Sequence, residues 1–209
     1  AILLYTSGST GTPKGVMHSF ERITKVAENI AKDVKSRIGD IDDNRILSYL
    51  PLAHVFERAW VEAMSMVDGK THVFFSESLD TFVADLNRAR PTTFISVPRL
   101  WLKFQQGVFA KMPPKKLNRL LSIPILSGIV KRKVLKNLGL DQALLAGSGS
   151  APIPAELISW YQRLGLNMIE GYAMSEDFAY SHNSTPEINA PGCVGVPLPG
   201  VEVRISEEG

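Results

Sequence analysis

A run of small and hydroxyl-bearing residues near the start of the chain has the composition of a phosphate-binding loop. Tyr5-Thr6-Ser7-Gly8-Ser9-Thr10-Gly11-Thr12-Pro13-Lys14-Gly15 contains three glycines, which let the backbone approach a ligand closely. Its hydroxyls, its free backbone N–H groups and the mobile charge of Lys14 suit phosphate oxygens. A flexible surface loop would not require Pro13-Lys14-Gly15 so close behind, so we interpret the run as a polyphosphate site.

Two common nucleotide-binding loops are excluded by the order of these residues. The P-loop of many NTPases needs Ser or Thr directly after its Gly-Lys pair, whereas Lys14 is followed here by Gly15 and Val16. The dinucleotide-binding pattern Gly-x-Gly-x-x-Gly does not occur in the run either.

Further segments combine small, polar and aromatic residues as a binding site would. Ser48-Tyr49-Leu50-Pro51-Leu52-Ala53-His54-Val55-Phe56-Glu57-Arg58 carries a histidine after a predicted strand. Ser148-Gly149-Ser150-Ala151-Pro152 is a turn of small residues. Glu170-Gly171-Tyr172-Ala173-Met174-Ser175-Glu176 joins a glycine, an aromatic ring and a carboxylate, and Gly195-Val196-Pro197-Leu198-Pro199-Gly200-Val201-Glu202-Val203 follows it.

Taken in order, these segments resemble the motifs of the adenylate-forming superfamily, which includes acyl-CoA synthetases, firefly luciferase and the adenylation domains of nonribosomal peptide synthetases. The resemblance covers nearly the whole chain, and the block around His54 is similar to that of long-chain fatty acyl-CoA synthetases. It implies an enzyme that joins a fatty acid to ATP as an acyl-adenylate and then forms a thioester with coenzyme A. The implied cofactors and substrates are ATP, Mg²⁺, coenzyme A and a fatty acid.

The charges of this reaction explain which side chains it needs. A carboxylate must approach a polyanion, and one like-charge pair at about 4 Å costs about 4 kcal/mol at an effective dielectric of 20. Catalysis therefore depends on charge cancellation and positioning. The resemblance implies that Thr6 and Glu176 bind Mg²⁺, that Lys14 steadies the leaving pyrophosphate, and that His54 acts as a positioning or electrostatic group, although a lone histidine is more often structural.

The resemblance also implies a set of nucleotide-binding residues. They are Thr6, Ser7, Gly8, Ser9, Thr10, Gly11, Lys14, Gly149, Ser150, Gly171, Tyr172 and Ser175. Tyr172 is expected to stack on adenine and Ser175 to offer its hydroxyl to the α-phosphate. Ser175 replaces the usual Thr, Ala173 replaces a usual Gly, and Asp177 replaces a usual Thr, which adds a negative charge beside the metal site.

Aromatic residues that follow His54 are candidates for the acyl-chain site. Phe56, Trp60 and Met64 are spaced to share one face of a helix, which suits ordinary core packing as well as the lining of an apolar tail. The resemblance of this block favours long chains, with Phe56 and Trp60 as acyl-binding residues.

Alternating strands and helices must position these motifs. Runs typical of strands are Ile2–Tyr5, Ile46–Leu50, Thr71–Phe75, Thr93–Val97, Ala143–Ala146, Leu166–Ile169 and Val201–Ile205. Helical patterns cover Phe20–Ile38, Phe82–Arg88 and Pro154–Leu164. This order predicts an α/β fold with a largely parallel sheet flanked by helices, and the glycine-rich run is expected to join a strand to a helix. The resemblance assigns this fold to the large domain of an acyl-CoA synthetase.

The amino-acid composition excludes several classes of protein. With 209 residues, 44% of them hydrophobic, and a net charge of +2, the chain is neither disordered nor a dedicated nucleic-acid binder. Its single cysteine, Cys193, excludes an internal disulfide and fits a reducing compartment such as the cytoplasm. The uncharged apolar stretch Leu120–Val130 is far shorter than the roughly 20 residues that a spanning helix needs.

The segment 86–140 contains twelve basic residues and no Asp or Glu. Two interpretations remain open. One is a helical hairpin whose basic residues face water, and the other is peripheral contact with anionic lipid or another polyanionic ligand.

The ends of the sequence read as strands in progress, so residues 1–209 are expected to be a fragment of an AMP-binding large domain, without its upstream part and small C-terminal domain. Such a fragment is expected to be inactive alone and to self-associate through uncovered apolar surface. Two other functions stay open: an acyl-AMP ligase that delivers to an acyl carrier protein, and a nonenzymatic nucleotide- or lipid-binding module.

Overall fold

Helices and strands alternate through most of the chain. The computed structural model of the protein describes residues 2–6, 11–185, 188, 190 and 192–207. Its helices are α1 (Phe20–Ile38), α2 (Met64–Asp68), α3 (Phe82–Ala89), α4 (Pro98–Lys111), α5 (Pro114–Leu121), α6 (Pro124–Asn137) and α7 (Ala155–Leu164). A π-helical segment, Glu57–Ala63, leads directly into α2.

The strands form two small pairs and one larger sheet. They are β1 (Ile2–Thr6), β2 (Lys14–His18), β3 (Asn44–Ser48), β4 (Thr71–Phe75), β5 (Thr93–Ser96), β6 (Leu145–Ser148), β7 (Met168–Tyr172), β8 (His182–Asn183) and β9 (Val196–Pro197). β1 and β2 pair antiparallel, whereas β3 and β4 pair parallel. In the larger sheet β5, β6 and β7 run parallel, and β8 and β9 continue it antiparallel. The predicted α/β class with parallel strand pairing is confirmed.

The longest helix, α1, has the signals that its sequence predicted. The side chain of Ser19 accepts a hydrogen bond from the backbone N–H of Arg22 at the start of the helix, and Gly39 ends it with a positive φ. Its buried residues are Val26, Ala27, Ile30 and Val34. Their three- and four-residue spacing places them on one face, which packs against the core.

Buried aromatic side chains fix the end of the central strand β6. The indole N–H of Trp101 on α4 donates to the carbonyl of Gly147 at 3.0 Å. The hydroxyl of Tyr161 on α7 donates in turn to the carbonyl of Trp101 at 2.6 Å. Both rings are fully buried and pack edge to face. Helices on the sheet therefore hold the backbone where the small-residue turn begins.

Two sequence predictions differ from the structure. The glycine-rich run is followed by strand β2 rather than by a helix, and α1 begins only at Phe20. Most of β2 is exposed, so it lacks the buried apolar alternation that marks a strand. The prediction of a strand over Val201–Ile205 is wrong: these residues form no ladder, because apolar alternation needs a neighbouring strand to pair with.

The basic segment forms helices, as one of its two interpretations required, but there are three of them, α4, α5 and α6, rather than a hairpin. Among the described residues, no helix has both the length and the apolar character needed to cross a membrane.

Candidate functional site

An open cleft of about 70 Å³ lies where the parallel strands β6 and β7 end. Its walls include Gly147–Ser150 at the end of β6 and Gly171–Ala173 at the end of β7, together with His54–Phe56, Trp60, Ala179 and Ser181–Asn183. Crevices at the carboxyl ends of parallel strands are the usual ligand sites of α/β folds.

The cleft brings together residues from four of the sequence motifs, the last of which supplies Leu198. The expected site residues that line it are His54, Phe56, Trp60, Gly149, Ser150, Gly171 and Tyr172. Other expected residues are described but do not line it: Thr6, Gly11, Lys14, Ser175 and Glu176. Ser7, Gly8, Ser9 and Thr10 lie outside the described residues. The structure thus gathers the parts expected to hold the adenine and the acyl chain, whereas the described residues of the phosphate loop do not line the cleft.

The small residues of the turn after β6 let the two strand ends approach each other. A Cβ atom at Gly149 would be 3.5 Å from the carbonyl oxygen of Gly171, and the Gly149 N–H donates to the carbonyl of Ser96. Ser150 adopts a positive φ of 68°, which is uncommon for a residue with a side chain. Such local strain is often found at binding sites.

Asn183, which lies in none of the sequence motifs, and Ser148, the first residue of the small-residue turn, also belong to the site. Both side chains are buried and line the cleft, and neither Nδ2 of Asn183 nor Oγ of Ser148 has a hydrogen-bond partner among the described residues. Unpaired buried polar atoms are costly, so these two groups are available to a bound ligand. Asn183 joins the site only through its register opposite Gly171, which a linear motif does not reveal.

Gly171 is required by this neighbour. A Cβ atom at Gly171 would lie 2.4 Å from Oδ1 of Asn183. The following residue, Tyr172, is about half exposed, and its ring packs edge-on against His182 at 6.0 Å between centroids. One face of a half-exposed ring is therefore accessible for stacking on a planar ligand.

His54 is held in one tautomer. Its Nδ1 accepts a hydrogen bond from the backbone N–H of Phe56 at 3.2 Å, so the neutral ring carries its proton on Nε2. Burial lowers the pKa of His54 below its usual value of 6.5, which keeps the ring neutral at pH 7. The arrangement supplies an N–H donor rather than a general base, and the positioning role of His54 stays a prediction.

The π-helical segment builds an aromatic wall of the cleft. The rings of Phe56 and Trp60 stack with an interplanar angle of 12°, and the Trp60 indole N–H donates to the carbonyl of Ala179 at 2.8 Å. Trp60 is 5% exposed and belongs both to the core and to the cleft lining, whereas Met64 belongs to the core alone. Core packing and ligand lining, treated as alternatives in the sequence, are combined in Trp60.

A buried carboxylic acid lies beneath this wall. Glu57 is fully buried, and one of its carboxylate oxygens accepts a hydrogen bond from the hydroxyl of Ser48 at the end of β3. Burial raises the pKa of Glu57, although the Ser48 hydrogen bond and the backbone amides of Leu50 and Tyr49 oppose the rise. Glu57 thus ties the start of the π-helical segment to the sheet.

The hairpin formed by β1 and β2 contacts the segment that carries Glu176. Nε2 of His18 forms a hydrogen bond of 2.8 Å with the carbonyl of Ser175, and the buried His18 ring packs on Phe178 at 4.9 Å. His18 pairs with Ile2 at one end of the hairpin, whereas Thr6 and Lys14 pair at the other. Four residues of strand separate the two ends by about 14 Å.

The expected metal ligands fit magnesium in chemical type. Glu176 is exposed and forms no salt bridge with any residue that the structure describes, and Thr6 offers a hydroxyl at the loop end of the hairpin. Among the described residues, no group of three or more His, Cys, Asp or Glu side chains is arranged to hold a metal ion. Mg²⁺ at nucleotide sites takes one or two protein oxygens and completes its shell with phosphate and water, so the donor set suits it.

Asp177, one of the departures from the superfamily pattern, stabilises its own loop. Its Oδ1 accepts hydrogen bonds from the backbone N–H groups of Met174 and Tyr180. Between them, Phe178 and Ala179 both have positive φ angles. The carboxylate therefore closes a strained turn that supplies Ala179 to the cleft.

Comparison with known proteins gives one family throughout. A family model described as AMP-binding enzyme matches residues 1–209, the whole chain. Fatty acyl-CoA synthetase A of Dictyostelium discoideum is 33% identical over 97% of this chain and 32% of its own length. Long chain acyl-CoA synthetase 3 of Arabidopsis thaliana is 30% identical over 97% of this chain and 34% of its own. The chain thus spans about a third of these relatives.

Solved structures share the fold. The anthranilate CoA ligase AuaEII, solved with anthranoyl-AMP, superposes with a TM-score of 0.68 at 22% identity, over 99% of this chain and 36% of that one. The o-succinylbenzoate CoA synthetase MenE from Bacillus subtilis gives 0.70 at 23% identity, over 99% and 37% of the two chains. At these identities the match concerns the fold alone.

Proposed function

The chain belongs to the AMP-binding enzyme family, and from this premise we propose that the protein containing it is a fatty acid–CoA ligase. In the proposed reaction ATP activates a fatty acid to an acyl-adenylate, and the acyl group then passes to the thiol of coenzyme A. Relatives about 30% identical to this chain are named as long-chain or fatty acyl-CoA synthetases, which supports the substrate class.

One observation carries the proposal: the cleft joins an apolar wall to a turn of small residues. Phe56, Trp60, Ile95 and Leu198 supply apolar surface that suits an alkyl chain. Gly149 and Gly171 leave room for a planar group beside Tyr172 on the same cleft. An acyl chain and an adenylate that share one cleft would meet at a carboxyl–phosphate junction, which is the bond that the proposed first step forms.

The bonds of the proposed reaction balance in two steps. A carboxylate oxygen attacks the α-phosphorus of ATP, an acyl–O–P bond forms, and the bond to the β-phosphate breaks with release of pyrophosphate. The thiolate of coenzyme A then attacks the acyl carbon, and AMP leaves. The first step brings negative groups together, so donors and cations around the junction lower its barrier most.

His54 is the donor that we place at this junction. Its Nε2–H can donate a hydrogen bond to a carboxylate or phosphate oxygen. Because the ring is neutral at pH 7, it transfers no proton to the substrate. Ser148 and Asn183 carry the two unpaired polar atoms in the same lining and are further candidate donors.

The hairpin supplies the proposed phosphate site. Lys14 is exposed and forms no salt bridge among the described residues, so its ammonium group is available to the β- and γ-phosphates. With Ser7 to Gly11 it would steady the leaving pyrophosphate, and Ser175 would offer its hydroxyl to the α-phosphate. Thr6 and Glu176 are the proposed Mg²⁺ ligands, and binding of one ion by both requires Thr6 to lie closer to Glu176 than the distance of about 14 Å that separates the two ends of the hairpin. The bound ion would neutralise phosphate charge.

The chain by itself is proposed to lack overall activity. We treat residues 1–209 as a fragment of the AMP-binding large domain, since the relatives are about three times longer. Several large apolar side chains are exposed, among them Tyr5, Met17 and Leu79. Surface of this kind favours self-association when the rest of a protein is not there to cover it.

Pyrophosphate release by the full-length protein tests the function. We expect release only when a fatty acid is present, faster with long acids than with acetate, and thioester formation with coenzyme A in preference to an acyl carrier protein. Binding of nucleotide without any fatty-acid-dependent release of pyrophosphate would support the nonenzymatic module instead. Preference for the carrier protein would support the acyl-AMP ligase, and preference for acetate would defeat the long-chain assignment.

A pair of phenylalanine variants tests the acyl site separately. Phe56→Ala removes a ring from the cleft wall, whereas Phe75→Ala removes an exposed ring on β4. We expect Phe56→Ala to raise KM for a long acid and to leave KM for ATP unchanged, with no change for Phe75→Ala. Equal effects on both KM values would contradict the assignment of Phe56 to the acyl chain.

A further inference from the structure

The helices α4, α5 and α6 carry positive charge that the proposed site does not use. Their cations are Arg99, Lys103, Lys111, Lys115, Lys116, Arg119, Lys131, Arg132, Lys133 and Lys136. Within the part of the chain that the structure describes, none of them forms a salt bridge. The arginines just before α4 are different, because Arg88 pairs with Asp85 and Arg90 with Asp141.

The outward face of α6 combines this charge with apolar side chains. Ile125, Ile129, Arg132 and Lys136 follow one another at spacings of four, three and four residues, which places them on one stripe of the helix. Val134 lies on the opposite side, where it is buried in the core. The stripe is thus apolar in its first half and cationic in its second.

The isoleucines of this stripe are strongly exposed. Ile125 is 84% and Ile129 is 64% exposed, and Leu126 and Ile123 beside them are more than a third exposed. The outward face of α1 provides a contrast, since it carries Glu21, Lys25, Glu28 and Lys32 with charges of both signs. A face adapted only to water needs no cluster of exposed isoleucines.

We infer that this face of α6 is a docking surface for an anionic lipid bilayer. The cations attract phosphate and carboxylate headgroups, while Ile125 and Ile129 insert between the acyl chains at the interface. The inference does not depend on the proposed catalytic function, because it uses none of the cleft or hairpin residues.

Charge also argues against two other occupants. A second copy of the chain docked on the same face would bring the cations of two α6 helices together, and like charges repel. A nucleic acid would use the cations and leave the isoleucines exposed, since phosphate contacts dominate such binding. A bilayer uses both halves of the stripe.

Vesicle co-sedimentation of the full-length protein tests this surface. The vesicles contain phosphatidylcholine alone or phosphatidylcholine with about 30% phosphatidylserine, and the salt is raised from about 0.05 M to about 0.5 M. We expect binding only to the anionic vesicles, and weaker binding at high salt because the charges are screened.

Two variants remove the two halves of the stripe. Arg132→Gln/Lys133→Gln/Lys136→Gln is expected to weaken partitioning into the anionic vesicles about 100-fold. Ile125→Ser/Ile129→Ser is expected to weaken it about tenfold or more while keeping its salt dependence. The matched control is Arg22→Gln/Lys25→Gln/Lys32→Gln, which removes three exposed cations from α1 and is expected to bind as the parent does. Melting temperatures confirm that each variant is folded.

The outcomes separate the occupants of this face. Equal binding to both vesicle types, no binding to either, or equal losses in the α1 control would each overturn the proposal. A dimer in light scattering that dissociates with Ile125→Ser/Ile129→Ser would overturn it in favour of a second copy. None of these results would affect the proposed ligase activity, which is measured by pyrophosphate release without vesicles.

Discussion

The hairpin β1–β2 and the cleft beside β6 and β7 are built in different ways, although both belong to the same proposed site. The cleft is set into the core, and its walls are fixed by buried rings such as Trp60 and Trp101. The hairpin is a two-stranded sheet, and half of its ten residues are exposed. Two-stranded ribbons are marginal by themselves, so the hairpin relies on its contacts with the rest of the fold, through the buried Leu4 and through the hydrogen bond of His18 with Ser175.

This difference indicates in which region a substitution changes stability and function together. A change in the cleft alters packing and ligand binding together, because the same side chains serve both. A change at the loop end of the hairpin is expected to affect the proposed phosphate binding and to leave the core unaltered. Phosphates need mobile cations and free N–H groups, which exposed loops provide, whereas an acyl chain needs water to be excluded.

The largest expected effect is a loss of activity without a loss of stability when Lys14 of the hairpin is replaced. Lys14→Ala in the full-length protein is expected to lower kcat/KM for adenylation about 10²–10³-fold, equivalent to about 3–4 kcal/mol. The melting temperature is expected to stay unchanged because Lys14 is exposed and forms no salt bridge among the described residues. Lys25→Ala on α1 is the control, and near-normal adenylation by Lys14→Ala would contradict the assignment.

Glycine substitutions compare the two regions directly. Gly171→Ala places a methyl group 2.4 Å from Oδ1 of the buried Asn183 and is expected to cost about 1–3 kcal/mol of stability. Gly15→Ala meets only the flexible end of the half-exposed Leu3 and is expected to cost less than about 0.5 kcal/mol. Thermal unfolding measures both.

A rescue variant identifies the cause of the Gly171 effect. Gly171→Ala/Asn183→Ala removes the clashing oxygen and is expected to recover part of the melting temperature that Gly171→Ala loses. A melting temperature no higher than that of Gly171→Ala, or equal losses in Gly15→Ala and Gly171→Ala, would show that the two regions do not differ as described.

The link between the regions is tested at His18. His18→Phe keeps a ring against Phe178 and removes the hydrogen bond to the carbonyl of Ser175, a loss of about 1 kcal/mol. We expect KM for ATP to rise about fivefold, because the hairpin is held less firmly beside Glu176, while KM for the fatty acid stays unchanged. Equal changes in both KM values would show that His18 acts on the whole fold.

The pH dependence provides the smallest effect and the sharpest test of His54. Its pKa is lowered by burial, so the neutral ring persists at pH 7, and its Nδ1 acceptor is lost only as the pH falls below 6.5 through the lowered pKa. Protonation of Nδ1 breaks the hydrogen bond from the Phe56 N–H, and kcat/KM is expected to fall on this acid limb. Stability falls in the same direction, because the unfolded chain binds the proton more readily.

Two variants assign that limb. His54→Gln is expected to remove the acid limb from the kcat/KM profile while keeping an N–H donor. Glu57→Gln controls for the other buried group, whose pKa is raised by burial and which also gains its proton on acidification. A limb that survives His54→Gln but disappears in Glu57→Gln would show that the buried acid, and not His54, controls the profile.

Strong periodicity made some elements predictable. The bounds of α1 and β4 agree with their predictions, since α1 has a capping serine, an amphipathic face and a terminal glycine. β2 and the π-helical segment were not foreseen. The first is short and exposed, and the second differs from an α-helix by hydrogen-bond register, which side-chain pattern does not encode.

The site divides in the same manner. His54, Gly149, Gly171 and Tyr172 were expected from contiguous motifs and line one cleft. Asn183 was not, because it enters the site through strand register. Ser148 belongs to one of these motifs, but only the fold leaves its buried hydroxyl without a partner among the described residues. Asp177 was expected to add charge beside a metal, whereas the structure shows it closing its own turn.

The sequence alone determined the local chemistry. Glycines and hydroxyls with a lysine predict phosphate binding, and ordered motifs indicate the family. Both signals depend on residues that are neighbours along the chain. The tertiary structure decided which of these motifs meet. His54 and Gly171 are more than a hundred residues apart and share a wall only because β3, β6 and β7 bring their ends together. Long-range packing fixed that meeting, and no run of adjacent residues specifies it.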